Sequence, residues 1–81
     1  MQLNPLKTNM TELILGDGSR VLFSYKTPVA HYKPSEFLRK TSHKWSKTTS
    51  KHINQWDIAK WSDMHYSEMP QEYFDNITKG L

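Results

Sequence analysis

The chain has 81 residues, a formal net charge of +3 and no cysteine; 36% of its residues are hydrophobic and 23% charged. That length supports one small domain with a modest core. The lack of cysteine excludes disulfide staples and thiolate metal sites, and it points to the reducing cytoplasm.

The longest apolar runs, Leu13-Ile14-Leu15 and Val21-Leu22-Phe23, are too short to span a membrane. The first residues lack the apolar core of a signal peptide. A soluble cytoplasmic protein is therefore expected, with no membrane partner. Charge is unevenly placed: residues 1–51 hold nine Lys/Arg and three Asp/Glu, and residues 52–81 hold two and five. One end should attract anions. The plainer reading is a solvated surface whose charges pair in the fold.

In chain order, residues 1–10 mix Asn, Pro, Lys and Thr without periodicity and read as an extended or frayed lead-in. The single domain then occupies residues 11–81. Thr11 to Tyr25 reads as a β-hairpin, with Asp17-Gly18 at the tip of a type I′ turn. That turn sets Ile14 opposite Val21, Leu13 opposite Leu22 and Glu12 opposite Phe23. Leu13, Arg20, Leu22 and Ser24 then share one face, and Glu12, Ile14, Val21 and Phe23 the other. Slippage by one residue would exchange the two sets. Pro28 ends or bends the second strand. Val29 to Tyr32 can form a short third strand, and alternation suggests another around Lys40–Lys47, with Thr41, His43, Trp45 and Lys47 on one face.

Thr48-Thr49-Ser50 is a helix N-cap cluster. A short helix from about Ser50 presents Ile53, Trp56 and Lys60 and ends near Asp57. Residues 62–69 read as a connection. Pro70 suits the start of a second helix with the apolar stripe Tyr73, Phe74 and Ile77, and Gly80 suits its end. Strands first and helices last argue an α+β fold: a small, mainly antiparallel sheet of 3–4 strands packed by two short C-terminal helices.

The blocks Thr-Glu-Leu…Gly-Asp-Gly…Val-Leu-Phe-Ser-Tyr-Lys-Thr-Pro-Val-Ala, Trp-Ser-Lys-Thr-Thr-Ser-Lys-His-Ile-Asn-Gln-Trp and Met-Pro-Gln-Glu-Tyr-Phe resemble a family of short uncharacterised bacteriophage and mobile-element proteins. The likeness covers roughly residues 11–77. It implies a phage or mobile-element setting, an infected host cell as the location, and no mechanism, so no functional residue is carried over. Asp57-Ile-Ala-Lys-Trp departs from it in being polar where a hydrophobic continuation is expected, which bears on where the helix ends.

No catalytic motif is present. His31, His43, His52 and His65 show no metal-ligand spacing, and no cofactor or metal is expected. Ser42–His43 would point to opposite strand faces, and Ser50 and His52 do not share a helix face, so neither makes a nucleophile–base pair. Gly16-Asp17-Gly18 lacks the Lys-Ser/Thr of a phosphate-binding loop.

The sharper signal is the basic, aromatic segment of Arg39, Lys40, His43, Lys44, Lys47 and Lys51 around Trp45, which suits phosphates and exposed bases. Against it, a domain this small needs large hydrophobes, and Trp45 and Trp56 are assigned to the core. Alternation would then leave the lysines as a separate exposed patch. Asp63, Glu68, Glu72 and Asp75 form an acidic tail, for helix N-termini or a partner.

Three function classes follow. The first is a non-catalytic phage-type protein that binds a host protein or nucleoprotein, for example as a counter-defence inhibitor. A nucleic-acid-binding accessory protein is the second. The third is a small structural protein that forms homo-oligomers through open sheet edges.

Overall fold

The computed structural model describes residues 2–34, 36–43, 45–56 and 66–79. Eight elements follow in order: β1 (Gln2–Lys7), β2 (Met10–Ile14), β3 (Arg20–Ser24), β4 (Thr27–Lys33), β5 (Phe37–Thr41), α1 (Lys47–Gln55), β6 (Ser67–Met69) and α2 (Gln71–Ile77). The fold is α+β with both helices towards the C-terminal side. The sheet has six strands in the order β1-β2-β3-β4-β5-β6, which corrects the expected three or four. β1 to β5 form an antiparallel meander. β6 pairs with β5 in parallel, so the chain must cross back between them, and α1 lies on that crossover.

The two additional strands were hidden for different reasons. β1 sits on the sheet edge and is mostly exposed, so it needs no apolar alternation and tolerates Pro5 beside a bulge. The expected lead-in is therefore a paired strand. β6 is a three-residue polar strand that exists only through its long-range pairing with β5. It replaces the C-terminal part of the expected connection; residues 62–65 lie outside the described residues.

The hairpin is real but one residue out of the expected register. Leu13 pairs with Val21, Glu12 with Leu22 and Ile14 with Arg20. The loop has three residues, not two: Leu15 N–H donates to Ser19 O at 2.9 Å, and Gly18 N–H donates to Leu15 O at 3.1 Å. Within this loop only Gly18 has positive φ (+88°), which is the three-residue turn closed by a left-handed glycine rather than type I′. The Asp17 carboxylate accepts from the Ser19 hydroxyl at 2.6 Å and the Ser19 amide at 2.9 Å, which locks that loop and holds its pKa below the ordinary value. The slip exchanges the faces, so Glu12, Leu22 and Ser24 share one side and Leu13 and Val21 the other.

The rows across the sheet separate the helices. Glu12, Leu22, Ala30, Lys40 and Glu68 form one row, and Leu13, Val21, His31, Arg39 and Ser67 the next. α1 covers the first face, where Met10, Leu22, Val29, Ala30, Leu38, Ile53 and Trp56 form the core. α2 lies on the opposite face, against β4, and buries Phe74 there.

α1 starts earlier than expected. Ser46 is its N-cap, with Oγ accepting from Thr49 N–H at 3.3 Å, and Trp56 is its C-cap. Thr49, His52, Ile53 and Trp56 recur at helical spacing and form its buried stripe. The departure at Asp57 and the expected end at Gly80 lie outside the described residues. α2 follows Pro70, as its sequence suggested.

Candidate functional site

Strand β5 stops at Thr41, so the expected alternation through Lys47 does not continue to Trp45. Its ring sits in the connection before α1 and is 42% exposed, which corrects its assignment to the core; Trp56, 1% exposed, is core as expected. The Trp45 ring lies 4.2 Å from His43, centroid to centroid, and its indole N–H donates to Gln71 Oε1 at 3.1 Å. Gln71, the first residue of α2, is a hub. Its Oε1 also accepts from the Thr41 hydroxyl at 2.9 Å, and its Nε2 donates to Pro28 O at 2.7 Å and Asp75 Oδ1 at 3.1 Å. An exposed indole is thereby held in one place by a helix docked on the far face of the sheet.

Beside Trp45, between α1 and the β5–β6 side of the sheet, is a cavity of about 330 Å³. Lys40, His43, Trp45, Ser50, Asn54 and Glu68 line it. Lys40 and Glu68 are cross-strand partners, so their side chains leave the sheet together. The Lys40 ammonium also lies 4.4 Å from the ring centre of Tyr66, which is 41% exposed. Lys47 and Lys51 are exposed on α1. With Ser50 and Asn54 they recur at spacings of three and four, so they carry positive charge along the stripe beside the cavity.

The basic cluster of the sequence is therefore divided. Lys40 and His43 line the cavity and Lys47 and Lys51 flank it, whereas Lys44 lies outside the described residues. Arg39 belongs to the opposite face, where its guanidinium donates to the Tyr73 hydroxyl at 2.8 Å and lies 4.0 Å from the Phe37 ring centre. Glu68, Gln71 and Tyr66 were missed as site residues. The parallel crossover brings Glu68 and Tyr66 to Lys40, and the docking of α2 brings Gln71 to Trp45; no local spacing signals either.

Two buried histidines sit on opposite faces. His31 Nδ1 is 2.7 Å from the Tyr73 hydroxyl. The same Tyr73 oxygen accepts from the Arg39 guanidinium at 2.8 Å, so it joins β4, β5 and α2. The other ring nitrogen of His31, Nε2, is buried without a hydrogen-bond partner. Burial, with Arg39 nearby, lowers the His31 pKa from its ordinary 6.5. On the α1 face, His52 Nδ1 is 2.8 Å from Ser24 Oγ, and Ser24 Oγ is 3.0 Å from Thr49 Oγ1. A hydroxyl beside an imidazole is the pairing that activates nucleophiles, and the two pairs weighed from the sequence, Ser42–His43 and Ser50–His52, were set aside. Ser24 is only 2% exposed, so what this pair does is tie α1 to β3. Burial also lowers the His52 pKa, with Lys7 and Lys51 adding to it.

Among the described residues no three His, Cys, Asp or Glu side chains converge as metal ligands, and no helix is long and apolar enough to cross a membrane.

Fold and site define a small α+β domain with a half-open polar and aromatic cleft at one end of its sheet. Residues 1–76 match the profile of DUF8033, a family of unknown function, and the chain belongs to that family. The match takes in β1, which the expected span of 11–77 left out, and the family's description mentions neither bacteriophages nor mobile elements. No curated protein matches the chain. No solved structure matches it.

Proposed function

We propose that this chain is a non-catalytic binding protein that takes single-stranded nucleic acid across the His43–Trp45 surface and along the basic stripe of α1. The observation that carries the reading is the exposed, anchored indole of Trp45 beside Lys40, Lys47 and Lys51. Single strands are held by cations that follow the phosphates and by aromatic rings on which bases stack. Gln71 fixes the ring beforehand, so little side-chain freedom is lost when a base stacks on it. The first turn of α1 holds no acid to repel a phosphate.

Titration of a labelled single-stranded oligonucleotide at two salt concentrations tests this. The account expects affinity to fall by about 0.7 log units per log unit of salt for each phosphate neutralised. Absence of binding at low salt would end it.

A second reading, a host protein as partner in a phage-type setting, is favoured by a different surface. Leu3 is 67% exposed and Tyr25 51% exposed, and with Phe23 and Lys26 they line an open apolar hollow. Tyr25 adopts φ +59°, unusual for a bulky residue, and its ring lies 6.0 Å from that of His52, centroid to centroid. An apolar segment carrying acidic residues would suit that hollow.

A further inference from the structure

Resting on the single-strand reading, we propose that Tyr25 is a second base-stacking ring for the same strand, at the end of α1 away from Trp45, with Lys7, Lys26 and Lys51 meeting the phosphates there. The path follows α1 across the sheet. The N-terminal end of the helix lies by β5, where Lys40 and Trp45 line the cavity. Its C-terminal half lies over β1 to β3. Lys7 Nζ donates to Gln55 Oε1 at 3.1 Å, Trp56 Nε1 donates to Glu12 Oε2 at 2.9 Å, and His52 Nδ1 is 2.8 Å from Ser24 Oγ.

Tyr25 stands at that second end. It follows Ser24 in the short connection between β3 and β4, and its amide donates to Asn9 O at 2.7 Å. Its ring packs 6.0 Å from the His52 ring, yet the residue is 51% exposed. From the N-cap Ser46 to His52 is about 9 Å along the helix axis, so α1 sets the spacing of Trp45 and Tyr25. One strand of a few nucleotides can reach both. Exposed lysines accompany the route: Lys47 and Lys51 on α1, Lys7 on β1, and Lys26 beside Tyr25. Lys7 and Lys51 are close enough to His52 that, after burial, their charges lower its pKa.

The backbone points the same way. The φ of +59° puts Tyr25 in the left-handed region, where a bulky side chain is an outlier and glycine or asparagine is the ordinary occupant. The chain keeps an aromatic ring where a ringless residue would sit with less strain, and such outliers gather at functional sites. The ring also borders a hollow of about 320 Å³ whose other walls are Leu3, Thr11, Phe23 and Lys26. Apolar walls of this kind accept the π face of any base, with the phosphate left outside among the lysines. An acidic apolar segment would meet the same lysines. A strand also accounts for the cations that continue along α1 from one exposed ring to the other.

The test titrates the full chain with a labelled oligothymidylate of about 12 nucleotides, within the site sizes of single-strand binders, and melts each variant alongside. Tyr25→Gly removes the ring and suits the backbone, and Tyr25→Asn does the same with a second residue that tolerates positive φ. Both should melt cooperatively and lose about 5- to 150-fold in affinity, the range for one stacked base. Tyr25→Phe keeps the ring and should bind as the parent does. Lys26→Ala should lower the salt slope of binding by about 0.7, one phosphate. Parent-like affinity in the two ringless variants would overturn the second ring, leave the single-strand reading standing and return the hollow to a protein partner. A Tyr25→Phe protein as weak as the ringless ones would overturn it too, because stacking does not need the hydroxyl. An unchanged slope in Lys26→Ala would take the strand away from this end of α1. A parent that binds no oligothymidylate at low salt would overturn both readings.

Discussion

Trp45 and Trp56 bracket α1: the first precedes its N-cap Ser46 and the second is its C-cap. Both donate an indole N–H to a side-chain oxygen, Trp56 to Glu12 Oε2 at 2.9 Å and Trp45 to Gln71 Oε1 at 3.1 Å. Their surroundings differ completely. Trp56 continues the stripe of Thr49, His52 and Ile53, is 1% exposed and closes the core, whereas Trp45 stands outside the helix and is 42% exposed. A satisfied indole nitrogen therefore says little about burial. What decides is whether the ring lies on the helix stripe that faces the sheet.

The largest expected effect breaks the buried side of this comparison. Trp56→Ala should cost about 3–5 kcal/mol, from lost apolar burial and the cavity left behind. Trp56→Phe keeps most of the packing but removes a donor from the buried Glu12 carboxylate, which Arg20 still meets at 3.1 Å; its cost should be about 1–3 kcal/mol. Denaturant unfolding measures both. A Trp56→Ala protein as stable as the parent would place the core elsewhere.

Much of the buried region was legible in the sequence, and much of the exposed one was not. Local signals located the β2–β3 loop, the region of α1, Trp56 and the start of α2 at Pro70. The register failed because Gly16-Asp17-Gly18 is compatible with a two- or a three-residue loop, and one residue reverses every side chain. Lys40 and His43 were found as candidate site residues because basic and aromatic residues cluster locally. Trp45 was misplaced because strand alternation was carried past Thr41, and the end of β5 has no glycine or proline to mark it. Glu68 was marked only as part of the acidic tail, and Gln71 only as lying near the start of the second helix. Their role depends on a parallel pairing and a helix docking that connect residues about thirty positions apart.

A smaller effect concerns how the two helices are held. Both buried histidines have pKa values below the ordinary 6.5, so the folded state binds fewer protons than the unfolded chain in that range. The stability they contribute is fully present above about pH 6.5 and is lost as pH falls from there through their lowered folded pKa values. Around His31 the charged neighbours are Arg39 on β5, Lys33 on β4 and Asp17 in the β2–β3 loop, and only Asp17 opposes the loss. Melting temperatures followed from about pH 8 to about pH 5 should therefore decline. His31→Phe should flatten part of the decline and leave the share due to His52. An unchanged decline in that variant would contradict the placement of His31.

Gln71→Leu should sharpen the comparison from the other side. It removes the bonds to Pro28, Thr41 and Trp45, at a cost of about 1–3 kcal/mol. It should also weaken oligonucleotide binding, because the indole is no longer fixed. Full affinity in that variant would show that anchoring Trp45 does not matter. The smallest stability effect belongs to the joint change Lys47→Ala and Lys51→Ala, which should stay within about 0.5 kcal/mol of the parent. The same pair should lower the salt slope of binding by about 1.4, two phosphates at about 0.7 each. An unchanged slope would remove α1 from the binding path.

The central claim is that one tryptophan serves the fold and the other serves recognition, and Trp45→Ala tests it most directly. Its thermal melt and its oligonucleotide titration should be measured on the same preparation. The account predicts a stability loss below about 1 kcal/mol, as for an exposed side chain. It predicts a loss of affinity of about 5- to 150-fold, the range for one stacked base. A protein that loses as much stability as Trp56→Ala, yet binds as the parent does, would contradict it.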